Sequence, residues 1–323
     1  MNRMKGMNEM KGMNNYTILT ILVIAAIAVA IMAIAIAIYY NIVEKYDANA
    51  TDTRIYFMTY KETANFFAKD NDNYVRNLSE LDLHARGVNT HVEYMNQIED
   101  TAISFTDDEK ELLERCAKDA DNYLRNERFK EVDYGKHLNG NDIADIKWIF
   151  ANTYANYFND VIKENEQGLP HTRENIILLS KNVLKNDALH LTNTLLHEKI
   201  HIYQRYNPEI FDTIIKEMGL KELERKHFKQ AKYIRSNPDT NNKIYYRKKD
   251  VSILDILSGV SGDSGDTEYN LDDVMVCLYR NDKPNSINDV IQKNYTAEHP
   301  YEKIAYEIAE NFYKNNKNKY INI

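Results

Sequence analysis

The chain has 323 residues, enough for one sizeable domain or one domain with a smaller accessory unit. Its net charge of -8 and isoelectric point near 5.7 exclude a general nucleic-acid binder. Only two cysteines, Cys116 and Cys277, are present and no CxxC pair, which excludes a disulfide framework and a cysteine metal knuckle.

Residues 1–16 are a short segment carrying Arg3, Lys5 and Lys11. Within residues 17–40, positions 18–38 hold no charge; as a helix they span about 30 Å, the thickness of the hydrocarbon core of a bilayer. Tyr16, Tyr39 and Tyr40 stand where interfacial aromatics belong. A cleaved signal peptide would have a shorter apolar region, so a retained single transmembrane helix is expected. The basic residues before the span, against Glu44, Asp47 and Asp52 after it, favour a cytoplasmic N-terminus and a translocated C-terminal body. Asn49, Asn77 and Asn294 lie in N-x-S/T sequons. Ala26, Ala30, Ala33 and Ala37 share one face of the span, which would permit close helix approach and a homodimer.

Residues 41–138 are expected to form a helical stalk or subdomain. Ser79 is suited to cap a helix running towards Gln97, and Thr106 with Glu109 forms a capping box opening the next one. Asn139-Gly140-Asn141-Asp142 is a turn signal marking a boundary, so a catalytic domain is expected over residues 139–323. Residues 142–165 read as helical, ending near Gly168-Leu169-Pro170, and the apolar run 176–179 reads as a strand. Residues 188–206 read as a helix. Asn207 is placed to cap the next one, with Pro208 at its first position and Gly219 past its end. A basic helix is expected over 220–235, strands over 243–247 and 274–279 with a flexible loop between them, and a closing helix from Pro300.

The chemistry lies in the 188–206 helix, which contains His197-Glu198-Lys199-Ile200-His201. Residues i and i+4 share a helical face, so both imidazoles can address one metal ion. Glu198, one step round, would sit beside the water such a metal activates and take its proton as general base. HExxH is expected by chance only roughly 0.02 times in such a chain. Leu195, Leu196, Ile200 and Ile202 supply the apolar cover of a helix buried beneath a cleft. A catalytic zinc site takes three protein ligands and leaves one position open, so a third ligand must come from elsewhere.

In this respect the chain resembles the gluzincin metallopeptidases, in which the third ligand is a Glu on a later helix. That resemblance implies Zn²⁺ held by His197, His201 and Glu302, the last in the His-Pro-Tyr-Glu run that opens the final helix. Glu307 is the alternative, with Glu298 and His299 at the helix entrance. Glu302 lies 101 residues after His201, farther than in most gluzincins. The metzincin extension is absent, because Tyr203, Gln204 and Arg205 follow His201. The 176–179 strand resembles the zincin edge strand that aligns an extended substrate. Residues 140–323 are together similar to membrane-anchored zinc peptidases encoded by large DNA viruses.

Tyr245, Tyr246, Arg235, Tyr301 and Tyr306 are candidates for stabilising an oxyanion, and His171 and Arg173 for touching substrate. The expected fold is α+β and mostly helical: a zincin-like catalytic domain behind a transmembrane helix and a helical stalk. The expected function is that of a membrane-anchored zinc metallopeptidase acting on peptide or protein substrates, and not on nucleic acid. The rival is a membrane-anchored structural or binding protein, such as a virion envelope component, with an inactive zincin-like fold.

Overall fold

The computed structural model describes residues 54–158, 161–240, 242–247, 269, 271–291 and 298–320. The expected transmembrane span lies outside them. Among the described residues no helix is long and apolar enough to cross a membrane.

The frame is a mixed five-stranded sheet. In chain order the strands are β1 (Ile55–Phe57), β2 (Ala102–Ile103), β3 (Trp148–Thr153), a separate antiparallel hairpin of β4 (Ala155–Phe158) and β5 (Val161–Glu164), then β6 (His171–Arg173) and β7 (Ile176–Ser180). The order across the sheet is β1-β3-β7-β6, with β2 also paired to β3. β3 runs parallel to β1 and β7, whereas β6 is antiparallel to β7 with Thr172 opposite Ile177.

Both faces of this sheet are covered. Trp148, Phe150, Ile177 and Leu179 point into one core, while Ala151, Ile176 and Leu178 point into another on the opposite side. Helices α1 (Tyr60–Lys69), α2 (Glu80–Ala85) and α3 (His91–Glu99) contribute Phe66, Phe67, Leu83, Tyr94 and Ile98 to the second core. The first core is filled by α4 (Asp107–Arg125), α5 (Gly140–Asp145), α6 (Ala188–Tyr206), α7 (Pro208–Glu217) and α8 (Pro300–Tyr320). The architecture is mixed α/β, helix layers on either side of a sheet.

Capping residues fix several helix starts. The hydroxyls of Thr59, Ser79, Thr90 and Thr106 each accept the N–H three residues on, and the acid at that position reaches back, four capping boxes in all among the described residues. Asp187 Oδ1 opens α6 by accepting the His190 N–H at 3.0 Å. α6 is buried through most of its length and packs on α4 and α8. α8 turns Ile304, Ala305, Ile308, Ala309 and Phe312 inward. Each large apolar side chain so buried contributes about 1.5–3 kcal/mol.

Several expectations are corrected. Residues 54–138 are not a stalk apart from a domain at 139–323. β1 and β2 pair with β3, α4 shares its core with α6 and α8, and Arg54–Ile323 forms one compact unit. The expected helix from Ser79 breaks at Gly87, whose φ of 72° ends α2 before Thr90 restarts the chain as α3. The expected helix over 142–165 is instead α5 followed by β3, β4 and β5. A strand buried on both faces has no polar alternation to distinguish it from a buried helix. The expected basic helix at 220–235 is β8 (Leu220–Glu222) and two short 3-10 turns. β8 pairs with β9 (Tyr245–Arg247), which pairs with β10 (Val274–Met275). The 176–179 strand is present as β7, yet it lies inside the sheet, and β6 is the edge. Both cysteines are buried.

Candidate metal centre

The two histidines face the same way because they sit four residues apart on α6. His197 Nε2 and His201 Nε2 are 2.9 Å apart. From α8, Glu302 Oε2 comes to 3.3 Å from His197 Nε2 and 3.5 Å from His201 Nε2. These three residues form the one group of potential metal ligands among the described residues. Two ligands held about 2.0–2.1 Å from a tetrahedral zinc stand about 3.3 Å apart, which the three measured separations bracket. The circle through the three atoms has a radius of about 1.9 Å, short of that bond length, so one ion can lie equidistant from all of them just off their plane. Imidazole and carboxylate donors suit zinc. The residues present therefore fit the ion.

Their surroundings hold this arrangement. His201 is fully enclosed, and its Nδ1 lies 2.7 Å from Gln204 Oε1. Burial alone would lower the His201 pKa, but the carboxylates of Glu302 and Asp239 overcome it and hold the imidazole at about 10. Burial and the neighbouring His201 push His197 down. Burial works against the Glu302 carboxylate, yet His201 and His197 keep it well below the usual range. Asn237 Nδ2 donates to Glu302 Oε1 at 2.8 Å.

Glu198 is buried and faces a cavity of about 780 Å³, together with His197, Glu302, Asn193, Asn237 and Tyr306. Its Oε2 has no hydrogen-bond partner, and burial followed by the charge of Asp239 pushes its pKa well above the ordinary carboxylate value. Lys199 faces the other way. Its ammonium donates to Asp121 at 2.7 Å and to the Ala144 carbonyl, and sits 3.9 Å over the Trp148 ring, fastening α6 to α4.

The remaining sequence candidates divide sharply. Glu307 is half-buried beside Lys303, outside the ligand cluster. Glu298 lines the cavity and pairs with Arg235 at 2.6 Å, while His299 is buried and accepts the Tyr301 N–H. Tyr306 lies against the His197 ring at 4.3 Å and lines the cavity, and so does Arg235. Tyr301 is core, Tyr245 packs on His299, and Tyr246 packs on Tyr269. His171 lines the cavity, whereas Arg173 is enclosed between Asp70 and Asp72.

Sequence reasoning missed Gln204 and Asn237. Gln204 faces His201 from three residues away on the same helix, but its bond to the Tyr301 carbonyl and that of Asn237 to Glu302 span 97 and 65 residues. It also missed Arg205 and Asp239. Thr172 N donates to Asp239 Oδ1 at 3.0 Å, and the Thr172 and Glu174 carbonyls accept from Arg205 at 3.2 and 2.6 Å. The outward backbone groups of edge strand β6 are thus already bonded within the chain.

Compared with known proteins, this chain matches no family model, no curated protein and no solved structure.

Proposed function

We propose that this chain is a zinc-dependent metallopeptidase of zincin-like fold, anchored to a membrane by its N-terminal apolar stretch. The observation that carries the reading is the convergence of His197, His201 and Glu302, with His197, Glu302 and Glu198 lining one cavity. An ion bound there supplies Lewis-acid chemistry, acidifying water and polarising a carbonyl. As a water oxygen adds to the peptide carbonyl carbon, Glu198 takes the water's proton on its unpartnered carboxylate oxygen and passes it to the amine nitrogen that leaves when the C–N bond breaks. Tyr306 and Arg235 lie on the cavity wall where a carbonyl oxygen gaining charge needs a donor. The apolar residues Leu169, Ile287 and Ile291 at the cavity give a peptide side chain a place to pack.

A second reading, a membrane-anchored binding or structural protein with an inactive site, draws support from one feature. The outward backbone groups of β6 are occupied, so an extended peptide cannot join this edge of the sheet unless Arg205 and Asp239 let go. A peptide-library cleavage assay on zinc-loaded chain and on its Glu198→Gln variant separates the two. Cleavage by the first alone supports the peptidase; cleavage by neither supports the binding protein.

A further inference from the structure

Two neutral carboxamides stand behind the ligand cluster, and each is fixed by a backbone group that can play only one role. Gln204 is fully enclosed on α6. Its Nε2 donates to the Tyr301 carbonyl at 3.0 Å, and a carbonyl can only accept. The amide oxygen must then face His201 Nδ1, at 2.7 Å, so Nδ1 carries the hydrogen and donates. The lone pair of a neutral His201 is left on Nε2, the atom nearest His197 and Glu302.

Asn237 repeats this logic at Glu302. The backbone N–H of Asp239 can only donate, and it holds Asn237 Oδ1 at 2.9 Å. The amide nitrogen must then face Glu302 Oε1, at 2.8 Å. That oxygen is occupied, and the free one is Oε2, the atom that meets both histidines. Gln204 also ties His201 on α6 to the residue next to Glu302 on α8, so one side chain sets the spacing of two ligands from distant parts of the chain.

We propose that Gln204 and Asn237 are positioning residues that select the ligating atoms, His201 Nε2 and Glu302 Oε2, and hold Glu302 to a single ligating oxygen. The inference rests on the zinc reading. Because carboxamides do not titrate, the selection persists across the pH range in which a carboxylate partner would gain or lose charge.

The test uses the full-length chain, with zinc affinity read by competition against a chromophoric chelator and geometry read from the visible spectrum of the cobalt(II)-substituted protein. Gln204→Leu and Asn237→Leu are each expected to weaken zinc about 10–100-fold, the usual cost of removing a partner behind a metal ligand. Asn237→Leu also frees Glu302 Oε1 to ligate, so the cobalt(II) bands should weaken as coordination number rises. Gln204→Glu keeps an acceptor for His201 Nδ1 and should bind zinc more tightly than Gln204→Leu. Should Gln204→Leu fail to fold, Asn237→Leu, on a loop, carries the test alone. Affinities within about twofold of wild type in both leucine variants overturn the inference and leave the zinc reading standing. A wild-type chain that binds no zinc overturns both.

Discussion

His201 Nε2 and Glu302 Oε2 meet at 3.5 Å although 101 residues separate them in the chain. The contact is made by two long helices, α6 and α8, which pack on each other and share one core that includes Leu195, Leu196, Ile304 and Ile308. Glu307, one and a half turns further along α8, is held by Lys303. Glu302→Ala should therefore weaken zinc by more than the about 10–100-fold cost of losing an outer partner. Glu307→Ala should leave affinity within about twofold. Chelator competition on the two variants side by side decides between them, and the reverse ranking would reject Glu302.

Glu198→Gln preserves side-chain volume and all three ligands but cannot take a proton. We expect it to keep zinc affinity near wild type while peptide hydrolysis falls by about 10²–10⁴-fold or more, the usual contribution of a positioned base. Single-turnover assays on zinc-loaded protein measure this. Equal rates would remove Glu198 from the mechanism.

The zinc affinity should depend on pH with a definite sign. In the metal-free protein the carboxylates around His201 hold its proton up to about pH 10. Zinc must displace that proton from Nε2, so apparent affinity rises with pH, by about tenfold per unit below the folded pKa, and binding releases a proton into the buffer. Calorimetry at pH 7.5 in buffers of differing ionisation enthalpy should detect about one proton released. Affinity that is flat between pH 6 and 8 would contradict it.

A buried charge pair away from the ligands makes a separate claim about stability. Arg86 grips Glu166 through two bonds, Nε at 3.0 Å and Nη2 at 2.5 Å, with both side chains almost fully enclosed. Burial would raise the Glu166 pKa, but the Arg86 charge holds it at about 2, below its unfolded value of 4.5. A lowered folded pKa gives stability that is fully present above 4.5 and lost as pH falls towards 2, about 3 kcal/mol in all. Glu166→Gln should be destabilised by about that much at pH 7, and the deficit should shrink through the window from 4.5 to 2. Urea unfolding at pH 7, 4 and 2.5 checks it. A deficit constant across that range would mean the pair is not the cause.

The sequence exposes local signals and hides distant ones. The HEKIH helix, the Thr106 capping box, the 176–179 strand and the helix opening at Pro300 are all where residue order places them, because caps and periodicity act within a few residues. β3 reads as helix because Trp148, Ile149, Phe150 and Ala151 lie in a sheet covered on both faces, where polar alternation disappears. The 220–235 segment has helix-forming charges but no apolar stripe, and it settles as a short edge strand and turns around Leu223, Phe228 and Ile234. Asn237, Arg205 and Asp239 gain their roles from contacts made across the fold, as does the Gln204 bond to the Tyr301 carbonyl.

The most direct measurement is the metal content of the purified full-length chain after exhaustive dialysis against metal-free buffer. The account predicts about one zinc per chain, lost when His197 and His201 are both replaced by alanine. No retained zinc even after reconstitution, or equal zinc in the double variant, would contradict it.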